Sequence, residues 1–244
     1  RIGDIMASVF DAIRNFSNDK RFILKLIILF APILLVFLLG SEIEKFPYML
    51  YAIVYYYIGY MVVTFHSALE EREIYFPNPI TSLFDVIIRG FVGVICISPI
   101  TAIAFFVVLY FENANTIAQI KYFAIILTAL VWFSIAMLQI IMYAKKYNPL
   151  DAFNLKTIFN VGGEFFINIL KFVVQVALII GLPAYLVYLG GATAFAEDIK
   201  TLVIFQYSLY AFVTLVFYLI SIDVFLQIYE ELIITEDDEE FLKL

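Results

Sequence analysis

A chain of 244 residues that is 64% hydrophobic, only 15% charged and carries a formal net charge of −7 is too apolar for a soluble domain, where about 45–50% of residues are apolar and about 25% charged. That much apolar surface needs lipid around it, so a membrane protein is the starting point. The negative balance argues against nucleic acid as a partner. One cysteine excludes an internal disulfide, and one histidine excludes a multi-histidine metal site.

The chain opens on a segment containing "SVFDAIRNF" from Ser8. Ile5, Met6, Val9, Phe10, Ile13 and Phe16 recur at helical spacing, with Ser8, Asp11 and Asn15 on the other face. Such a stripe predicts an amphipathic helix, Ile5–Phe16, lying in the headgroup plane. Because this charged segment precedes the first apolar run, no cleavable signal peptide is expected. Two spans follow, Phe22–Gly40 with Pro32 inside and Pro47–His66, separated by "SEIEKFP". Each has about the 20 apolar residues that a bilayer crossing needs.

After "SALEEREIYFPNP" comes "SLFDVIIRGF", from Ser82. Ile80, Leu83, Phe84, Ile87 and Ile88 oppose Thr81, Ser82, Asp85 and Arg89. Ile80–Gly90 therefore reads as a second interfacial helix, expected to bend into the third span at Gly90. Asp85 marks its polar face and pairs with Arg89 at the spacing that meets on a helix. Spans three and four are Phe91–Phe111, with Pro99, and Ile117–Tyr143. A third such segment, "NPLDAFNLKTIF", starts at Asn148. Asn148 reads as the helix cap, Pro149 as the first helical residue and Asp151 as a first-turn acid. Leu150–Phe159 is expected to lie in the interface like the other two. Spans five and six are Ile167–Leu189, with Pro183, and Leu202–Asp223. Gly162-Gly163 and Gly190-Gly191 read as turns.

These elements define an all-α integral membrane protein with six transmembrane helices in three pseudo-repeats. Each repeat is an interfacial helix plus a helical hairpin whose first span carries a proline. The expected units are residues 1–66, 78–143 and 148–229 of one membrane domain, with 230–244 an acidic cytoplasmic tail. The prolines either line a central volume or are packing kinks. Twelve of the fifteen Lys and Arg residues fall on the side of the termini. The positive-inside rule then puts both termini in the cytoplasm, in the inner (cytoplasmic) membrane of the cell. Tyr48, Tyr51, Tyr143 and Tyr147 lie near span ends, where amphipathic rings anchor at the interface.

Few residues offer chemistry. His66 ends the second span, Glu164 sits at the mouth of the fifth and Asp223 ends the sixth. With Asp85 and Asp151 they make the set of candidate functional polar residues. Asp11, Asp85 and Asp151 either mark the polar faces of three helices or converge on one site. An enzyme would need His66, Glu164 and Asp223 to meet in a common pocket. Cys96 reads as a packing residue, and Gln139, Gln175, Gln206 and Gln227 as sources of interhelical hydrogen bonds. No catalytic residue, cofactor site or metal site is assigned.

Several short motifs also match a pattern: Gly59-Tyr60 in a span, "EERE" with Pro77, Asp85 with Gly90, Pro99, and "YAKKYNPLDAFNLKTIF". Together they resemble an uncharacterised family of prokaryotic multi-pass membrane proteins, a domain of unknown function. The layout is also broadly similar to repeated-hairpin membrane regions such as that attached to glycerophosphodiesterases. The resemblance implies a multi-pass fold and lends no activity. The sequence thus reads as a non-catalytic membrane protein organising lipids, or a protein partner at the cytoplasmic face, through its interfacial helices. The alternative is a transporter or channel for a small apolar or lipid-like solute, since transporters are often built from repeats.

Overall fold

The computed structural model describes residues 21–39, 45–71, 83–114, 117–196 and 198–241, with 9, 12–14 and 17. Phe22, Glu70, Glu71, Glu230 and residues 233–241 are described by backbone alone. Every regular element among them is helical: α1 (Phe22–Leu39), α2 (Pro47–His66), α3 (Leu83–Asn113), α4 (Ala118–Lys146), α5 (Leu155–Val176), α6 (Leu182–Ala194) and α7 (Ile199–Phe241).

Five helical stretches are long and apolar enough to cross a membrane: Pro47–Leu69, Leu83–Asn113, Ala118–Lys146, Leu155–Ala194 and Ile199–Tyr229. A sixth apolar helix, Ile23–Leu39, rises about 25 Å, short of a hydrocarbon core of about 30 Å. Helices suit this solvent because each satisfies its own backbone groups. Their outer faces are aromatic and aliphatic, with Phe105, Phe106, Tyr122, Phe123, Leu178 and Leu186 among the exposed residues.

The corner expected at Gly90 is absent. Leu83–Asn113 is one uninterrupted α-helix, which rises about 46 Å against a core of about 30 Å. The excess length lets the first two turns stand at headgroup level, where Asp85 and Arg89 cost little. No separate interfacial helix is needed to place them there. Gly90 serves packing instead. A Cβ on Gly90 would lie 1.7 Å from the carbonyl oxygen of Tyr55, and one on Gly59 would lie 1.7 Å from that of Val86. The crossing is reciprocal: each glycine rests on the carbonyl four residues before the other. This is the arrangement of Cα–H···O contacts, worth about 0.5–1 kcal/mol each, and of small-residue helix interfaces in membranes. Gly93 continues the seam against Ile58, and α2–α3 is the most extensive helix pair.

The third interfacial helix is also replaced. Tyr147, at φ 51, ends α4 in the left-handed region. Asn148 Oδ1 then accepts from the Leu150 N–H at 3.2 Å, while Asn148 Nδ2 donates to Asp151 at 3.0 Å. A single 3₁₀ turn, Asp151–Phe153, follows. The cap of α5 is Asn154, whose Oδ1 accepts from the Thr157 N–H at 3.3 Å. The two asparagines are equivalent as caps in sequence. The chain must reverse after α4, and Asn148 is used in that reversal. Of Ile5–Phe16, most lies outside the described residues; Val9 and Ala12 are buried in the core.

The glycine pairs are helical rather than turns: Gly162 and Gly163 lie in α5, Gly190 and Gly191 in α6. Gly191 leaves room for the ring of Phe205. A π-helical turn, Ala177–Gly181, joins α5 to α6. Pro183 cannot donate to the carbonyl of Ile179, and a widened turn lets the helix continue past it. Pro99 is handled differently. It cannot donate to the carbonyl of Ile95, but the Ser98 hydroxyl donates to that oxygen at 2.8 Å. Ser98→Ala should therefore lower stability in detergent by about 0.5–1.5 kcal/mol. In Pro99→Ala, where a backbone N–H returns to the same carbonyl, the serine substitution should cost almost nothing. Thermal melts of the two single variants and the double variant check this.

At the opposite end, Asp198 caps α7. Its carboxylate accepts from the Thr201 hydroxyl at 2.6 Å, the Lys200 N–H at 3.1 Å and the Thr201 N–H at 3.3 Å. The Thr201 hydroxyl, then the backbone N–H bonds, hold the carboxyl below its ordinary value of 3.8. A carboxylate depressed by folding stabilises fully above the unfolded value and loses that contribution as pH falls through the folded one. The difference in melting temperature between the parent and Asp198→Ala should therefore close as pH drops below 3.8.

Candidate functional site

One end of the bundle gathers the C-terminal end of α2, the first turns of α3 and the C-terminal turn of α4. There the guanidinium of Arg89 lies 3.7 Å from the ring centroid of Tyr147. The ring of His66 stacks on Tyr147 at 3.9 Å, tilted by 29°. Two groups this close cannot share one face of a ring, so Tyr147 is held between them. Arg89 pairs with Asp85 at 3.3 Å, and the Tyr143 hydroxyl interacts with its guanidinium. His66 Nδ1 is 2.8 Å from the Ala144 carbonyl. A carbonyl only accepts, so Nδ1 carries the proton and Nε2 is the acceptor in the neutral ring. Ala144 lies in the last turn of α4, where carbonyls lack helical partners. The cluster therefore also caps α4.

This clamp joins two of the five sequence candidates, His66 and Asp85, to three residues not among them. In the sequence Arg89 reads only as the partner of Asp85, and Tyr143 and Tyr147 as interfacial anchors. Tyr143 is in fact buried. The signal for the clamp was two tyrosines one turn apart ahead of the Asn-Pro reversal. That spacing gives them one helix face, but nothing in one sequence says what faces it.

The other candidates lie elsewhere. Glu164 is exposed on α5, off the buried stripe of Val161, Phe165, Ile169, Phe172 and Val176. Asp223 is fully buried in α7 and accepts from Gln227 Nε2 at 2.8 Å. It does not end a helix, because α7 continues to Phe241. Burial of a carboxylate is costly without hydrogen bonds, and Gln227 supplies one within the same helix. Among the described residues, no three His, Cys, Asp or Glu side chains gather into a group that could hold a metal. His66, Glu164 and Asp223 sit on three different helices, His66 bonded to Ala144 and Asp223 to Gln227. Gln206 bridges helices, donating to the Tyr188 hydroxyl at 3.4 Å. Gln139 and Gln175 each leave a buried Oε1 without a hydrogen bond.

Asp151 lines a cleft of about 270 Å³ beside the clamp, with Met142, Lys145, Lys146, Asn154, Thr157 and Tyr229. The cleft lies between the last turn of α4, the first turn of α5 and α7.

The interior between the helices is filled by rings. Phe225 of α7 meets Phe133 of α4 at 5.5 Å, and Phe172 and Phe165 of α5 at 5.4 and 6.3 Å. Further along, the Tyr218 hydroxyl donates to the Tyr57 carbonyl at 2.6 Å, and the Tyr57 hydroxyl donates to the Leu29 carbonyl. These bonds tie α7 to α2 and α2 to α1 at the depth of the membrane. They could not be read from sequence, where both tyrosines are two among seventeen.

No protein-family model, curated protein or solved structure matches this chain.

Proposed function

We propose that this protein is a non-catalytic multi-pass membrane protein that organises lipids at the cytoplasmic face, through its basic end. The observation that carries this reading is the ring-filled interior around Phe225. A conduit for an apolar or lipid-like solute between α4, α5 and α7 would meet side chains that already touch. Enzymatic chemistry would need His66, Glu164 and Asp223 in one pocket, and an exposed Glu164 on one helix with a fully buried Asp223 on another argues against it. Because the second and third interfacial helices are not distinct elements, the proposed contact surface moves to the helix ends and the turn at Asn148–Asn154.

The proposed orientation follows from charge. Arg89, Lys145, Lys146 and Lys156 belong to the end where α2 finishes, α3 begins, α4 finishes and α5 begins. Cationic side chains near span ends favour the cytoplasmic side. Both termini are proposed to lie there, which takes α1 as a sixth crossing, and the membrane is proposed to be the cytoplasmic (inner) one.

Two measurements on the purified chain test the role. After mild solubilisation, mass spectrometry should find phospholipid retained at a fixed ratio to protein. In proteoliposomes, release of an entrapped apolar solute or transbilayer movement of a labelled lipid should match protein-free vesicles. Rapid, protein-dependent movement would reverse the assignment in favour of a transporter.

A further inference from the structure

We propose that the cleft between α4, α5 and α7 holds the headgroup of a phospholipid carrying both a phosphate and a primary amine, such as phosphatidylethanolamine. The inference rests on the lipid-organising reading above and names the lipid. The cleft's volume, about 270 Å³, suits a headgroup rather than a whole lipid, and the acyl chains would stay outside. Its lining has a mixed character that a simple anion site would not need. Lys145 and Lys146 supply two ammonium groups, and Asn154, Thr157 and Tyr229 supply amide and hydroxyl donors. Ammonium groups and hydroxyls are ordinary partners of a phosphate. The same lining contains one carboxylate, Asp151. Its Oδ1 accepts from Asn148 Nδ2, which fixes the side chain and leaves Oδ2 for a further donor. A carboxylate beside a phosphate site repels a purely anionic headgroup and suits one whose far end is a protonated amine.

The surroundings point to a lipid rather than to dissolved phosphate. Leu150, Phe153, Leu155 and Phe159 flank the cleft in sequence, and all are exposed, Leu150 at 77% and Phe159 at 81%. Free phosphate has no use for exposed apolar side chains at this end of the bundle, whereas acyl chains of a bound lipid would cover them. The depth agrees. Ala118–Lys146 rises about 43 Å, so its last turn stands beyond a hydrocarbon core of about 30 Å, at the level of the phosphates.

The test uses the delipidated full chain in detergent, titrated with dioctanoyl phosphatidylethanolamine, phosphatidylglycerol and phosphatidylcholine, and with inorganic phosphate. Thermal stabilisation gives the affinity for each. Phosphatidylethanolamine should bind at least tenfold more tightly than phosphatidylglycerol or phosphatidylcholine, and inorganic phosphate should stabilise little at millimolar concentration. Lys145→Gln with Lys146→Gln should weaken phosphatidylethanolamine at least tenfold, and Asp151→Asn should erase the preference over phosphatidylglycerol. Thr157→Ala, a smaller change, should weaken binding several-fold if the lysine pair cannot be made without loss of folding. Equal affinity for the three lipids, or full affinity in the lysine and threonine variants, overturns the assignment. Stabilisation by phosphate equal to that by lipid overturns it in favour of a free-anion site. Failure of the broader reading looks different: the parent chain would then retain and respond to no lipid at all.

Discussion

Gly90→Ala should lower the melting temperature of this protein, the reverse of what alanine does inside an ordinary helix. Alanine normally stabilises a helix interior by about 0.8–1.0 kcal/mol over glycine. Here the new methyl carbon would stand 1.7 Å from the Tyr55 carbonyl oxygen, and backbone atoms of a packed helix cannot rotate aside. The helices must separate, which weakens both reciprocal contacts and opens the seam along Gly93. Overpacking of this kind costs about 1–3 kcal/mol, enough to overturn the propensity gain. Gly59→Ala should behave the same way against Val86. Gly162→Ala and Gly190→Ala are the internal controls, because a Cβ there meets nothing within 4 Å. Thermal melts in one detergent should place the two pairs on opposite sides of the parent. If all four variants rise together, the close crossing of α2 and α3 is wrong.

The second large effect belongs to Tyr147. Tyr147→Ala removes the surface on which both Arg89 and His66 lie. The cation–ring contact is worth about 0.5–2 kcal/mol and the ring stack about 0.5–1.5 kcal/mol, so the loss should be about 1–3 kcal/mol. Tyr147→Gly loses the same contacts but relieves the positive φ of 51°, and should therefore be milder than alanine. Arg89→Ala and Tyr147→Ala should not add. In the double variant the second substitution has less left to remove, giving a coupling of about 0.5–2 kcal/mol. His66→Ala should show the same non-additivity with Tyr147→Ala. Strict additivity in both cycles would mean that the rings are merely adjacent.

What the sequence revealed followed from solvent physics, and what it hid followed from pairing. The six apolar runs were legible because lipid demands unbroken apolar helix, and α2 was bounded correctly at Pro47 and His66. The first run falls short of a full crossing over its described residues. Of the helix expected over Ile80–Gly90, the described part, from Leu83, is helical. Amphipathic periodicity could not say whether that helix is separate from the next, because a long helix that stands out of the membrane has the same pattern as a short one lying on it. In the sequence Gly90 reads as a corner. A glycine that permits bending and one that permits close approach are identical in a single sequence, and only the partner carbonyl of Tyr55 distinguishes them. Asn148 and Asn154 pose the same problem: both are good caps, and the choice depends on where α4 must reverse. Of the site, His66 and Asp85 stand among the sequence candidates. Their link through Arg89 and Tyr147 depends on three helix ends meeting, which no local spacing encodes.

The central claim is that the helices cross the membrane with the clamp and the cleft on the cytoplasmic side. Site-directed labelling in intact cells tests it most directly, since the one native cysteine, Cys96, is buried and is replaced by alanine as background. Single cysteines at Tyr48, Asn113 and Lys200 should react with a membrane-impermeant maleimide added outside. Cysteines at Leu150 and Lys156 should react only after the membrane is opened. Labelling of Leu150 and Asn113 from the same side would contradict the account, because it would put both ends of α4 on one face of the membrane.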